Sequence, residues 1–215
     1  MNIIDIAKSR KTCKVYDASR RLTTAQIEDI KTLLRYSPSS VNVQPWHYFL
    51  IESDAGKEKV LPGFMEFNRP KVLDSTLTVI FAVRNTLGDA HVELITEQED
   101  KDQRFLDEAG KSGVAAGRKK FIDLNSNDQK DLNKWNEKQA YIALGTLLLG
   151  AAAMGVNATP IEGIVPEELD KILDLPSKDL HSIVAVTIGY SSEADDYNAK
   201  LPKSRLPAEE IFTIL

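Results

Sequence analysis

An α+β fold is what this sequence predicts, and three observations carry the prediction. Few segments read as strands, many read as helices, and the two kinds do not alternate in a regular βαβ rhythm. The strand-like runs "WHYFLIES" (46–53), "TLTVIFAV" (76–83) and "IVAVTIGY" (183–190) are β-branched and aromatic, and the last two are apolar enough to be covered on both faces. A run around 135–155 is apolar nearly all the way round and reads as a helix buried at the centre.

In chain order, the first good helix follows "LTTAQIEDIKTLLRYS". Thr23 and Gln26 have the spacing of a capping box, and Ile27, Ile30, Leu33 and Leu34 share a face. Between this helix and the strand opening at Trp46, the chain spends residues 38–45, "PSSVNVQP", on a loop. Plain connections take about 2–6 residues, so this one is read as holding something. Further helices are predicted over about 86–107, 113–123 and 128–154, with a short one starting at Asp195–Asn198. The mixed-charge run "EQEDKDQR" (97–104) reads as a solvated helix face. Ala140, Ala143, Gly145, Gly150, Ala151, Ala152 and Ala153 would let another helix approach the central one, within the core or at a subunit interface.

The 215 residues suffice for one large domain, 1–215, and no repeat or linker divides them. A net charge of −5 argues against a general nucleic-acid or acidic-membrane binder. The opening "MNIIDIAKSRK" has no signal-peptide core, and "YIALGTLLLGAAAMGV" (141–156) is too short to span a bilayer, so a soluble cytoplasmic protein is expected. One cysteine, Cys13, excludes an internal disulfide and a paired-thiolate zinc site. His47, His91 and His181 lack ligand spacing, and no metal is expected.

Several catalytic signatures are missing. There is no G-x-G-x-x-G after a strand, no complete P-loop at "GKSG" (110–113), and no G-x-S-x-G elbow. Cys13 has cationic neighbours, which lower a thiol's pKa, but no histidine nearby in sequence. It is read as a small buried apolar residue. What remains is "SRKTCK" (9–14), "FNRPK" (67–71), "TPIEG" (159–163) and "LPKSRLP" (201–207). Arg10, Thr12 and Lys14 alternate, so an extended segment would point them the same way. Lys203 and Arg205, between Pro202 and Pro207, form a basic turn that could take a phosphate or could be surface charge.

Together these stretches resemble the FMN-dependent nitroreductase family, of the oxygen-insensitive NAD(P)H nitroreductase and dihydropteridine reductase type. "SRKTCKVYD", "SPSSVNVQPWHY", "FNRPKVLD", "ATPIEGI" and "LPKSRLP" occur in the family's order and span nearly the whole chain. The resemblance implies a central, mostly antiparallel sheet surrounded by helices, in an intertwined homodimer with FMN at the subunit interface.

It makes Arg10, Lys203 and Arg205 a clamp for the FMN phosphate, with Lys11, Thr12 and Cys13 beside them. Lys14, Lys71 and Asn68 would reach the pyrimidine end and ribityl chain. Pro38, Ser39, Ser40 and Asn42 would come from the partner subunit. Pro160, Ile161, Glu162 and Gly163 would lie along the isoalloxazine, and Val41, Lys120 and Phe121 at the substrate mouth. No residue need act as nucleophile or base, because the flavin carries the redox step; Lys14, Lys71 and Glu162 give electrostatic or positioning support.

The implied reaction is ping-pong. A hydride from NADH or NADPH reaches flavin N5, and two electrons then pass to a nitroaromatic or quinone. Pteridine or free-flavin reduction, a flavin-binding electron carrier, and a flavin-free phosphometabolite binder are the alternatives. The sequence departs from the family pattern at Thr12 (usually serine), Lys11 (often histidine), Val41 (often a hydroxyl residue) and Lys120 (often aromatic). The last three leave the acceptor and the nicotinamide open.

Overall fold

A computed structural model describes residues 2–215. The fold is α+β, with four strands and, among the described residues, eight α-helices. The strands are β1 (Trp46–Ile51), β2 (Leu77–Arg84), β3 (Asn157–Ile161) and β4 (Leu180–Gly189), in spatial order β1-β2-β4-β3 with every neighbouring pair antiparallel. The two central strands are covered on both faces, as their apolar composition requires.

On one face Leu77, Val79, Phe81, Val83, Val184, Val186 and Ile188 pack under α2 (Thr24–Arg35) and α7 (Gln129–Ala153). On the other, Ile80 and Ala185 meet Val60 of α3 (Asp54–Val60), Val72 of α4 (Arg69–Asp74) and Leu169 of α8 (Pro166–Leu173). A bulge where Phe81 pairs with Val184 but Ala82 with Ser182 leaves Ile183 as the extra residue.

Local chemistry explains where the helices begin. Thr23 and Gln26 close the expected capping box on α2. Asp107 accepts from the Gly110 N–H at 2.7 Å and starts α6 (Glu108–Leu124) five residues earlier than periodicity suggests. The predicted helix over 86–107 is the shorter α5 (Asp89–Lys101). Four short helices escaped the sequence reading: α3, α4, α8 and α1 (Ile3–Ser9), the last capped by Asn2. The short helix expected to start at Asp195–Asn198 is a 3-10 turn over Tyr197–Lys200.

Three expectations need correction. β3 contains Thr159, Pro160 and Ile161, where no strand was expected; proline is tolerated because β3 is an edge strand. The run 97–104 is not wholly solvated, since the side chain of Glu99 is only 7% exposed. The central helix is two-sided. Ala140, Ala143, Leu147 and Ala151 are fully buried, whereas Tyr141 and Ile142 are 40% and 45% exposed, and Gly145 faces open space. A Cβ on Gly150 would stand 2.4 Å from Leu33, so this glycine is where α2 seats against α7.

Candidate functional site

The segment Arg10–Lys14 leaves the C-terminus of α1 and is clasped by residues nearly two hundred positions away. Asn198 donates its amide to the Thr12 carbonyl at 2.6 Å, and Lys11 donates to the Ala199 carbonyl at 2.6 Å. The Lys14 N–H donates to Asp196 at 3.1 Å, and Asp196 also accepts from Ser191 and from the Asn198 N–H. Burial pushes the Asp196 carboxyl up, but these hydrogen bonds outweigh it and hold the group below its ordinary value. Cys13 is buried on the opposite side. Its thiol is pushed up to about 12 by burial and by Asp196, which leaves it no nucleophilic role. The Cys13 carbonyl accepts from Thr159 at 2.8 Å and so ties the segment to β3.

A cavity of about 250 Å³ opens between this segment and the C-terminal turn, lined by Arg10, Thr12, Lys14, Lys203 and Arg205 among others. Every charged side chain on its wall is cationic. One guanidinium nitrogen of Arg10 is buried without a hydrogen-bond partner, a costly state that an anion in the cavity would relieve. Burial, and then Arg205, holds the Arg10 guanidinium below its ordinary pKa. Lys203 is lowered by burial and then by Arg10 and Arg205, while donating to the Ala7 carbonyl.

A second cavity of about 320 Å³ shares Thr12 and Lys14 with the first and continues to Phe67, Asn68, Lys71, Pro160 and Tyr197. Lys71 donates to Asn68 at 3.0 Å and to the Phe67 carbonyl at 3.1 Å. Burial, then Lys14, lowers its ammonium. Asn68 donates to the Gly163 carbonyl at 3.2 Å, and a Cβ on Gly163 would lie 2.4 Å from that amide nitrogen, so a side chain there would displace Asn68. Glu162 accepts from Tyr141 at 2.8 Å, and burial together with that bond raises the Tyr141 phenol to about 12. Ile161 packs into the core.

The loop after α2 lines neither cavity. It is strained: Val41, Asn42 and Gln44 adopt φ of 48°, 53° and 43°. The Ser40 N–H donates to Gln139 at 2.8 Å, and the Gln44 N–H to the Ser39 hydroxyl at 3.0 Å. The Val43 carbonyl accepts from His91 Nε2 at 2.7 Å, with burial lowering the imidazole pKa. Arg118 of α6 donates to the Val41 carbonyl, and Asn42 donates to Glu99. Lys120 and Phe121 are exposed on α6 and line neither cavity.

With this geometry in place, comparison with known proteins settles the family. The family model described as "Nitroreductase family" matches residues 7–190. The chain belongs to the nitroreductase family. Among its relatives, the oxygen-insensitive NAD(P)H nitroreductases of Salmonella typhimurium and Enterobacter cloacae are each 42% identical over 99% of both chains. The major NAD(P)H-flavin oxidoreductase of Aliivibrio fischeri is 34% identical over 99% of this chain and 98% of its own. A nitroreductase–FMN complex from Exiguobacterium sibiricum shares the fold at a TM-score of 0.84, with 20% identity over 100% of this chain and 98% of its own.

In this nitroreductase-family chain, the fold brings Arg10, Lys11, Thr12, Lys14, Lys203 and Arg205 to the first cavity, and Asn68, Lys71 and Pro160, with Thr12 and Lys14 again, to the second. The sequence motifs did not mark Phe67, Tyr197 and Asn198, which line these cavities, or Tyr141, which donates to Glu162. The cap-forming Asp196 before Asn198 was the available signal for the latter. Nothing local announced the pairing of Glu99 with Arg118.

Proposed function

We propose that the protein is an FMN-dependent oxidoreductase that takes electrons from NADH or NADPH and passes them to nitroaromatic or quinone acceptors by a ping-pong route. The observation that carries this reading is the groove itself: an all-cationic chamber with an unpartnered buried Arg10 nitrogen, joined through Thr12 and Lys14 to a longer chamber walled by Asn68, Lys71 and Pro160. The donor set fits FMN. Arg10, Lys203 and Arg205 would hold the phosphate, Thr12 and Lys14 the ribityl chain, and Lys14, Lys71 and Asn68 the polar edge of the ring. Bound there, FMN supplies two-electron transfer between a nicotinamide and the acceptor. Lys14 and Lys71 stabilise negative charge at the edge they face, and Pro160–Gly163 flank the ring. Glu162, fixed by Tyr141, orients the end of β3.

Ser39, Ser40 and Asn42, with Pro38, are assigned to the flavin of a second copy, and Val41, Lys120 and Phe121 to the mouth of its pocket. A homodimer is supported by the open apolar face of α7, the unpaired edge of β1, and the exposed Ile211, Phe212, Ile214 and Leu215. The whole of 1–215 acts as one domain in the cytoplasm. No helix among the described residues is long and apolar enough to cross a membrane. Free-flavin or pteridine reduction is the second reading, favoured by the flavin oxidoreductase among the relatives.

The test is the visible spectrum of the purified protein, followed anaerobically on adding NADH and then NADPH. Flavin absorption that bleaches supports the proposal. Persistent colour with both nicotinamides makes the protein a carrier. A colourless protein that takes up no added FMN overturns the reading.

A further inference from the structure

We propose that Arg118 and Glu99 are positioning residues, whose buried ion pair sets the loop Ser39–Gln44 in the conformation it offers to the flavin of a second copy. This rests on the reading just given for that loop. Val41 and Asn42 are consecutive left-handed residues, and Val41 is β-branched, the kind of residue for which positive φ is a true outlier. Such backbone persists only where its surroundings over-determine it, and it gathers at ligand clamps.

Gln139 and His91 hold the loop at Ser40 and Val43, and the ion pair holds it at Val41 and Asn42 between them. Arg118 Nε donates to the Val41 carbonyl at 3.0 Å, one terminal nitrogen donates to Glu99 Oε2 at 2.7 Å, and the other to Thr96 Oγ1 at 2.9 Å. Glu99 Oε1 then accepts from the Asn42 amide at 2.8 Å. The pair therefore grips Val41 and Asn42 at once, one through its carbonyl and one through its side chain. The two side chains are 1% and 7% exposed. A buried ion pair is often no more stabilising than well-packed apolar residues of similar volume, so stability alone does not account for it. What apolar residues cannot supply is a donor to the Val41 carbonyl and an acceptor for Asn42. Lysine lacks the planar fork that lets one group serve three acceptors.

The experiment compares the FMN-loaded wild type with a double variant, Arg118→Met with Glu99→Leu, which removes both charges and so leaves neither stranded. Amide hydrogen exchange is read across residues 39–44, and FMN affinity and the KM and kcat for a nitroaromatic are read in parallel. The expected result is a thermal midpoint close to wild type, faster exchange in the loop, FMN held roughly tenfold more weakly, and a rise in KM larger than the fall in kcat. Unchanged exchange in the loop overturns the proposal, whatever happens to the flavin. Faster exchange with wild-type FMN affinity also overturns it, and separately shows that the loop does not touch flavin. If the double variant fails to fold, Glu99→Gln is measured in the same way, since it removes the charge while retaining an oxygen for Asn42.

Discussion

Arg10 and Arg205 face the same cavity from different environments, and the difference ranks them. Arg10 is partly buried with one nitrogen unpartnered, whereas Arg205 is exposed and already donates to the Ser204 carbonyl at 2.5 Å. Losing a hydrogen bond to a charged group costs most where solvent cannot replace it. Arg10→Ala should therefore weaken FMN binding by roughly tenfold to a hundredfold, and Arg205→Ala by less, in a flavin-fluorescence titration at fixed ionic strength. A larger loss for Arg205→Ala would reverse the ranking and move the phosphate outward. At this scale the sequence was informative where chemistry is local: Arg10, Thr12 and Lys14 share one wall with Cys13 buried, although Lys11 lines the same cavity and strict alternation would have sent it away. It did not tell that Ile161 points into the core, because that depends on which face of a short edge strand meets α3 and α8.

At the scale of elements, α7 shows what periodicity can and cannot say. Its small residues were legible as places of close approach, but not which of them would be used. Gly150 meets Leu33 of α2, and Gly145 meets nothing. Gly150→Ala should destabilise the protein by about 1–3 kcal/mol through overpacking against Leu33. Gly145→Ala in an isolated chain should stabilise by about 0.5–1 kcal/mol, because glycine inside a helix is unfavourable relative to alanine. Thermal unfolding at several protein concentrations checks both. A Gly145→Ala loss that grows on dilution would place a second copy against this face. β3 was missed for a related reason: a five-residue edge strand containing proline carries almost no period-2 signal.

For the molecule as a whole, the C-terminal stretch is the clearest unpaired surface. Ile211, Phe212, Ile214 and Leu215 lie exposed at the end of the chain, beyond the turn that carries Lys203 and Arg205. Apolar residues gathered in this way mark an interaction site. Deleting 211–215 should convert a dimer to monomer at micromolar concentration, read by analytical ultracentrifugation, and lower FMN content with it if a second copy completes the site. A dimer that survives the deletion with FMN intact would assign the interface to the α7 face instead.

The sequence by itself determined the fold class, the two-sided cover of β2 and β4 and the cap of α2. All of these rest on composition or on spacings of a few residues, which secondary structure translates directly into faces and ends. Only the tertiary structure decided that Lys14 is fixed by Asp196, 182 positions away, that Arg118 finds Glu99 across 19 positions, and that one side of α7 stays open. Those outcomes depend on how packed elements juxtapose distant backbone, and no local period encodes that. The loop at 38–45 shows both halves: its excess length was visible in the sequence, while the strain it holds and the ion pair that holds it became visible only on folding.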